Sequence, residues 1–297
     1  MIGHPAVEYW QMKRRNFIGT VVAGGLAPPC PTVASEGKGR LRPAICAYSF
    51  RDQLKAGSMT YADLIRMAAD VGADGIDLTV YWLPDTSDQT LFPLKRQAYR
   101  SSVAIYTIGI DANMAQPTPE LRTGEIEKVR KWLGVAEKLG ASHVRVFGGH
   151  IPKGASQEQA VGWAVETLVG CADEAAKKGI TLGVEDDGGI TTDADRTVEI
   201  VKKAASQWVG INLDIGNFPD DAYTQIEMCA PYATNVHFKS EVHVDHKGQP
   251  TDIPRILNIL GSAGYCGYLA IEYEARDDPR TAVPKWVSML REAIRKI

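Results

Sequence analysis

The chain has 297 residues, of which 44% are hydrophobic and 23% are charged, a composition typical of a globular protein with a substantial core. Its 33 basic and 36 acidic residues give a formal net charge of −3, which argues against nucleic acid as a partner. The sequence has no run of about 20 consecutive apolar residues, so it predicts no membrane span.

Residues 1–34 have the layout of an export signal. A pair of arginines at 14–15 precedes a weakly apolar run at 17–27 and a stretch of small residues at 32–34. The core Arg-Arg-x-Phe-Ile resembles a twin-arginine signal. We therefore predict cleavage at the end of this segment, a mature chain of residues 35–297, and a periplasmic or other extracytoplasmic location. A disordered basic tail is the alternative.

A unit of helix, glycine and short strand recurs along the rest of the chain. Gly72, Gly140 and Gly179 each end a helical pattern just before a run that alternates apolar with polar or small residues. Glycine suits the left-handed conformation that commonly ends a helix. Strands are predicted at 44–49, 75–80, 103–110, 143–148, 180–185, 209–214, 234–239 and 267–273. Helices are predicted at 60–71, 88–101, 119–139, 156–178, 193–206, 221–230, 252–263 and 278–296.

Eight strands that alternate with eight helices predict an α/β fold, a parallel (β/α)8 TIM barrel that forms a single domain over residues 35–297. An open doubly wound sheet is the alternative. That fold would favour a glycine-rich phosphate loop after the first strand. The sequence there reads Tyr-Ser-Phe-Arg-Asp at 48–52 instead, which favours the barrel.

Alternation within the later strands predicts which side chains enter the barrel. Leu182 and Val184 share one apolar face of their strand, whereas Glu185 lies on the other face. The apolar face should pack against the helices, so the polar face should point inward. The same alternation in the next three strands predicts three more inward residues, Asp214, His237 and Glu272.

These four residues are predicted to meet at the carboxyl ends of their strands, where barrel enzymes carry their chemistry. Three carboxylates that converge without a cation would repel one another and would be costly to desolvate. One divalent cation (Mn²⁺, Mg²⁺, Co²⁺ or Zn²⁺) held by oxygen ligands and one imidazole would resolve this conflict. The alternative to metal binding is a structural role. Each carboxylate would then form a salt bridge inside the barrel, and His237 would be packed in the core.

Seven short motifs between residues 43 and 295 carry a family resemblance. They are Ala47-Tyr-Ser-Phe-Arg51, Gly75-Ile-Asp-Leu78, Arg145-Val-Phe-Gly-Gly149, Gly183-Val-Glu185, Asn212-Leu-Asp-Ile-Gly-Asn217, Val236-His-Phe-Lys239 and Ala270-Ile-Glu272. The chain resembles the sugar phosphate isomerases/epimerases, xylose-isomerase-like barrels that include ketose 3-epimerases. The resemblance implies one divalent metal ion bound by Glu185, Asp214, His237 and Glu272. It does not fix the reaction, because the family includes epimerases, isomerases, dehydratases and lyases.

Two positions depart from the family pattern. Many relatives follow the glutamate of the fifth strand with Asn-His, whereas this chain has Asp186-Asp187. These carboxylates could bind substrate hydroxyls, bind a second ion or cap the next helix. Ketose 3-epimerases also place a histidine where this chain has Asn217, so the substrate contacts of those relatives do not transfer directly.

Other residues near the same end of the barrel are candidate substrate contacts. The five predicted are Lys239, Asn217, His150, Tyr48 and Trp82. Lys239 could neutralise an enolate or a substrate carboxylate, with an ion pair inside the barrel as the alternative. The aromatic faces of Tyr48, Tyr81 and Trp82 could pack on a sugar ring, or they could belong to a lid or the core.

Three further polar residues are interpreted structurally. Arg145 is predicted to pair with an interior carboxylate such as Asp77. His243 and His246 lie in a polar segment after the seventh strand and are predicted to be solvated or rim residues.

The predicted function is a metal-dependent isomerase or epimerase that acts on a sugar or keto-sugar. Glu185 and Glu272 would move a proton through an enediolate that the metal stabilises. A lyase or dehydratase acting on a keto-sugar or keto-glycoside at the same site is one alternative, and a catalytically silent sugar-binding protein is another. Apurinic endonucleases share the barrel, but they use histidines from strands 2 and 3, and residues 77–82 and 109–113 contain none. The sequence leaves open whether the protein forms a homo-oligomer.

Overall fold

Eight parallel strands close into a barrel within residues 40–297, the part of the chain that the computed structural model describes. The predicted export signal lies outside the described residues. The barrel strands are β1 (Arg42–Cys46), β2 (Gly75–Thr79), β3 (Ala104–Asn113), β4 (His143–Phe147), β5 (Thr181–Glu185), β6 (Val209–Asp214), β7 (Ala233–Phe238) and β10 (Tyr268–Ile271). Around the barrel their order is β1, β10, β7, β6, β5, β4, β3 and β2.

Nine α-helices lie within the described residues, mostly between consecutive strands. They are α1 (Arg51–Lys55), α2 (Tyr61–Val71), α3 (Asp88–Arg100), α4 (Pro119–Leu139), α5 (Gln157–Lys178), α6 (Ala194–Ala204), α7 (Ala222–Cys229), α8 (Ile253–Ser262) and α9 (Pro279–Ile294). Among these helices we find none with the length and apolar character needed to cross a bilayer.

The predicted (β/α)8 barrel is confirmed, with three corrections. The first strand ends at Cys46 rather than at 49, because the chain turns there into a short 3-10 helix, Ala47–Phe50. The short helix α1 that follows was not predicted, so the described residues contain nine α-helices where eight were expected. The predicted polar loop after the seventh strand is an antiparallel hairpin of β8 (Glu241–Val244) and β9 (Lys247–Pro250). All four residues of β9 are exposed, so no apolar alternation marked this strand in the sequence.

The predicted glycine helix ends are present. Gly72, Gly140 and Gly179 have φ values of 70°, 85° and 65°, in the left-handed region that other residues rarely adopt. Each glycine is followed within three residues by the next strand. The tight turns therefore bring each strand directly back to the barrel wall.

The main hydrophobic core lies between the barrel and its helices. Leu182 and Val184 of β5 are fully buried there, as the strand alternation predicted. Residues of the opposite parity enter the barrel, where space is limited. A Cβ atom added to Gly183 would lie 2.3 Å from Nε2 of the buried His143.

Gly183→Ala should lower the free energy of unfolding by about 1–3 kcal/mol, because the added methyl group overlaps the His143 ring in a packed interior. Gly134→Ala is the matched control, since no atom lies within 4 Å of its added Cβ. The free energy of unfolding of the control should rise by up to about 1 kcal/mol, because alanine has a higher helix propensity than glycine. Urea denaturation measures both changes. Equal stabilisation of the two variants would contradict the tight packing at Gly183.

Candidate active site

Four side chains meet at the carboxyl end of the barrel. Glu185 ends β5, Asp214 ends β6, His237 lies in β7 and Glu272 directly follows β10. All four are buried, and one ligand atom from each lies within 4.8 Å of the others. The structure therefore brings together the four residues that strand alternation had directed to one point.

His237 faces the three carboxylates with one ring nitrogen. Its Nδ1 is 2.7 Å from Oε1 of Glu185, 3.2 Å from Oε2 of Glu272 and 3.8 Å from Oδ2 of Asp214. Burial disfavours a charged imidazole, but Glu272 and Glu185 outweigh it and raise the pKa of His237 well above its usual value. The carboxylates thus strongly attract positive charge to the Nδ1 position.

The arrangement fits a divalent cation at Nδ1. The other ring nitrogen, Nε2, lies 2.7 Å from Oδ2 of Asp77. A carboxylate in this position commonly orients a metal-binding histidine, because it accepts the ring proton and leaves the opposite lone pair for the metal. Oδ2 of Asp214 is buried and makes no hydrogen bond within the described chain, although Lys239 lies 3.2 Å from it as an ion-pair partner. Three carboxylates and one imidazole suit several divalent metals.

Lys239 places a second positive charge against the same carboxylates. Its Nζ lies 2.9 Å from Oε2 of Glu272 and 3.2 Å from Oδ2 of Asp214, and it also bonds Glu274. Burial opposes the ammonium, but these carboxylates outweigh it and raise the pKa of Lys239 well above its usual value. Burial also opposes ionisation of Glu272, yet Lys239 and His237 hold the pKa of Glu272 well below its usual range. Both groups are therefore charged at neutral pH.

Buried amides support the cluster from inside the barrel. Asn212 donates to Oε1 of Glu185 at 3.0 Å, and Asn235 donates to Oδ2 of Asp77 at 3.1 Å. Asn235 also donates to Oδ1 of Asn212 at 2.7 Å. Strand alternation predicts that both amides point inward, each two residues before a predicted ligand, but it does not predict their supporting role.

Arg145 pairs with an interior carboxylate, as predicted, but that carboxylate is Glu185 and not the suggested Asp77. Nε of Arg145 lies 3.2 Å from Oε2 of Glu185, and its guanidinium also donates to the Tyr81 hydroxyl at 3.0 Å. Both carboxylates point into the barrel, but Glu185 is on β5, adjacent to Arg145 on β4, whereas Asp77 is on β2. Burial opposes the charge of Arg145, but Glu185 helps to raise its pKa above the usual value.

The two aspartates that depart from the family pattern occupy different environments. Asp186 is buried, and its Oδ1 accepts the backbone N–H of Asp214 at 2.7 Å, so it supports the end of β6. Asp187 lines the active-site cavity, and burial raises its pKa to about 6. Neither caps the next helix, because the N-cap of α6 is Asp193.

A cavity of about 140 Å³ lies over the carboxylates, and we call it the active-site cavity. Three predicted substrate contacts, Tyr48, Asn217 and Lys239, line it. Asp187 and the Tyr81 ring, both also considered as possible substrate contacts, line it as well. Its walls further include three residues that were not predicted to contact substrate, namely Arg145, Phe147 and Glu274. Glu274 could have been found by alternation, because it lies two residues after Glu272.

The remaining predicted residues lie around this cavity. Trp82 is not among the residues of the described chain that line it, and its ring lies 6.1 Å from that of Tyr48, centroid to centroid. His150 lines a neighbouring cavity of about 230 Å³. On the hairpin, His246 is exposed, whereas His243 is half-buried.

Asp77→Ala should weaken Mn²⁺ binding by about 10–100-fold, because His237 would lose the carboxylate that orients its ring. Isothermal titration of the metal-free protein measures the affinity. Asp74→Ala is the matched control, since Asp74 is partly exposed and pairs with Arg40 before the start of β2. Unchanged affinity in Asp77→Ala would contradict the orienting role.

Comparison with solved structures finds similar barrels. A D-psicose 3-epimerase from Clostridium cellulolyticum H10, solved with D-tagatose, is 17% identical, with a TM-score of 0.73 over 85% of this chain and 99% of that chain. An L-ribulose 3-epimerase is 17% identical, with a TM-score of 0.68 over 86% and 96%. The probable 3-DHS dehydratase AsbF of Bacillus anthracis is 16% identical, with a TM-score of 0.68 over 84% and 98%.

At these identities the likeness establishes the fold, and a shared fold does not by itself assign an activity. The sequence has no significant match among curated proteins. The family model described as "Xylose isomerase-like TIM barrel" matches residues 65–293, most of the chain. The chain therefore belongs to the family of xylose isomerase-like TIM barrels.

Proposed function

We propose that this protein is a divalent-metal-dependent isomerase or epimerase that acts on a sugar or keto-sugar. The observation that carries the proposal is the convergence of three carboxylates and the His237 imidazole beneath a small polar cavity. The ketose 3-epimerases among the structural neighbours support a carbohydrate as the substrate.

The residues that would hold the metal ion are Glu185, Asp214, His237 and Glu272. When bound, the ion would supply a Lewis acid that polarises a carbonyl oxygen and an adjacent hydroxyl of the substrate. Lys239 would add positive charge near the developing oxyanion, since its Nζ lies at the wall of the same cavity.

Glu185 and Glu272 are the proposed acid/base pair. β6 and β7 lie between their strands, so the two carboxylates reach the cavity from different sides of the barrel wall. One carboxylate would remove the proton from the carbon next to the carbonyl, and the electron pair would move onto the carbonyl oxygen. Return of a proton to the opposite face of that carbon gives epimerisation, and return to the neighbouring carbon gives isomerisation.

The cavity wall contains groups suited to holding a sugar. Tyr48 and Phe147 offer aromatic surface, and the Asn217 amide can bond to hydroxyl groups. Arg145 does not need to contact the substrate to contribute. Its ion pair with Glu185 holds that carboxylate in place at the cavity wall.

Glu185→Gln and Glu272→Gln should each lower turnover by roughly 10²–10⁴, because each change removes proton transfer while keeping the side-chain shape. Turnover of a panel of keto-sugars by the Mn²⁺-loaded protein measures the loss, and metal analysis checks the loading. Glu127→Gln on the exposed surface of α4 is the control and should leave turnover unchanged. In D₂O, the wild type should place deuterium on the carbon next to the carbonyl.

The D₂O experiment also separates the alternatives. Products formed by loss of water would favour the dehydratase, a reaction class that also occurs among the structural neighbours. Products formed by loss of a glycosyl group would favour the lyase. Sugar binding without any product would favour the silent binding protein. A product without deuterium would rule out proton exchange through Glu185 and Glu272.

We also propose that the protein is exported by the twin-arginine route, on the basis of the arginine pair at 14–15 and the apolar run that follows. Replacement of both arginines with lysine should leave the protein in the cytoplasm when cells are fractionated. A single substitution of Lys13 is the control and should leave export intact. An unchanged location of the double variant would contradict this route.

A further inference from the structure

A larger cavity adjoins the active-site cavity. Its volume is about 590 Å³, compared with about 140 Å³ over the carboxylates. The two cavities share Asn217, Lys239 and Glu274 as a common wall. We call the larger one the hairpin cavity, because Glu241 and His243 of β8 line it.

The active-site cavity is small for a complete ligand site. Ligand pockets commonly have volumes of about 300–1,000 Å³. The active-site cavity falls below that range, whereas the hairpin cavity lies within it. A ligand that places one sugar ring over the carboxylates can therefore extend past Lys239 and Glu274 into the larger space.

Most residues that line the hairpin cavity have polar side chains, and their charges are mixed. Glu241 and Asp277 face it together with Arg276, and Ser240 adds a hydroxyl group. With Glu274 and Lys239 of the shared wall included, three carboxylates face one guanidinium and one ammonium. The lining therefore has a net negative charge and does not suit a phosphate or another anion. Hydroxyl groups of an uncharged sugar can donate to the carboxylates and accept from the guanidinium.

His243 offers a further hydrogen-bonding group at this wall. Its Nδ1 is buried and has no hydrogen-bond partner among the described side chains and backbone. An unmet buried polar atom costs free energy, which a partner would recover. Because His243 lines the hairpin cavity, a ligand hydroxyl there would supply that partner once the ring turns Nδ1 toward it.

The hairpin wall is already held in place. β8 and β9 pair over four residues each, and Val242 is fully buried beneath them. At the base of the hairpin, the Thr251 hydroxyl donates to the carbonyl of Lys239 at 2.8 Å, and its backbone N–H donates to the carbonyl of Ser240 at 3.0 Å. A preformed wall lowers the ordering cost of binding a ligand.

We propose that the hairpin cavity is a second carbohydrate subsite, so that the preferred substrate is a ketose linked to at least one further sugar unit. The proposal rests on the proposed function, because it assumes that the first ring lies over the carboxylates. The second ring would bind between the hairpin and residues 276–277.

The test compares sugars of one and two rings on the Mn²⁺-loaded full chain. D-fructose is the single-ring probe, and isomaltulose and lactulose are the two-ring probes, because each keeps a fructose unit with a free carbonyl carbon. Isothermal titration should give a Kd at least about tenfold lower for one of the disaccharides than for D-fructose. His243→Phe should reduce this preference about threefold to tenfold through the loss of a hydrogen bond.

His246→Asn is the matched control, because His246 is exposed on the same hairpin and its positive φ is tolerated by asparagine. This variant should keep the preference for the disaccharide. Thermal unfolding confirms that each variant is folded.

The possible failures are distinguishable. If D-fructose binds and neither disaccharide binds more tightly, the subsite is wrong but the proposed function survives. If His243→Phe weakens all three sugars equally, the residue has a structural role and the subsite is contradicted. If the protein holds Mn²⁺ but binds none of the sugars, both the subsite and the proposed function are contradicted.

Discussion

The rest of the site depends on the electrostatic cost of three carboxylates buried at one end of the barrel. Like charges in a poorly solvated interior repel strongly, so such a cluster persists only where positive charge compensates it. The chain supplies part of this charge through Lys239 and Arg145. The Nδ1 face of His237 marks the point where all three carboxylates converge, and there a divalent cation would compensate most effectively.

Much of this site could be predicted from the sequence, because the period of two along a strand is set by covalent geometry. Alternation alone predicts that Asp214 and His237 point into the barrel. The partner of Arg145 could not be obtained in this way, since Asp77 and Glu185 have the same inward parity. Only the order of strands around the barrel shows that Glu185 is the neighbour. The β8–β9 hairpin was missed because its exposed residues carry no apolar pattern.

Family membership leaves the reaction open. The two aspartates that depart from the family pattern are adjacent in the chain but lie in different environments. Asp186 is directed to the backbone of β6, whereas Asp187 reaches the active-site cavity. Asn217 occupies a position that joins that cavity to the hairpin cavity. Under the proposed function, substrate choice would therefore depend on the loops beyond the strands, while the strand ends would hold the shared chemistry.

The most direct test of this account is the location of the metal in crystals of the full chain grown with Mn²⁺. Anomalous diffraction at the manganese edge should show one peak within ligand distance of Glu185, Asp214, Glu272 and Nδ1 of His237. A barrel without a peak at this point, with the four side chains ordered as ion pairs to Lys239 and Arg145, would contradict the claim that the carboxylates converge to bind a cation.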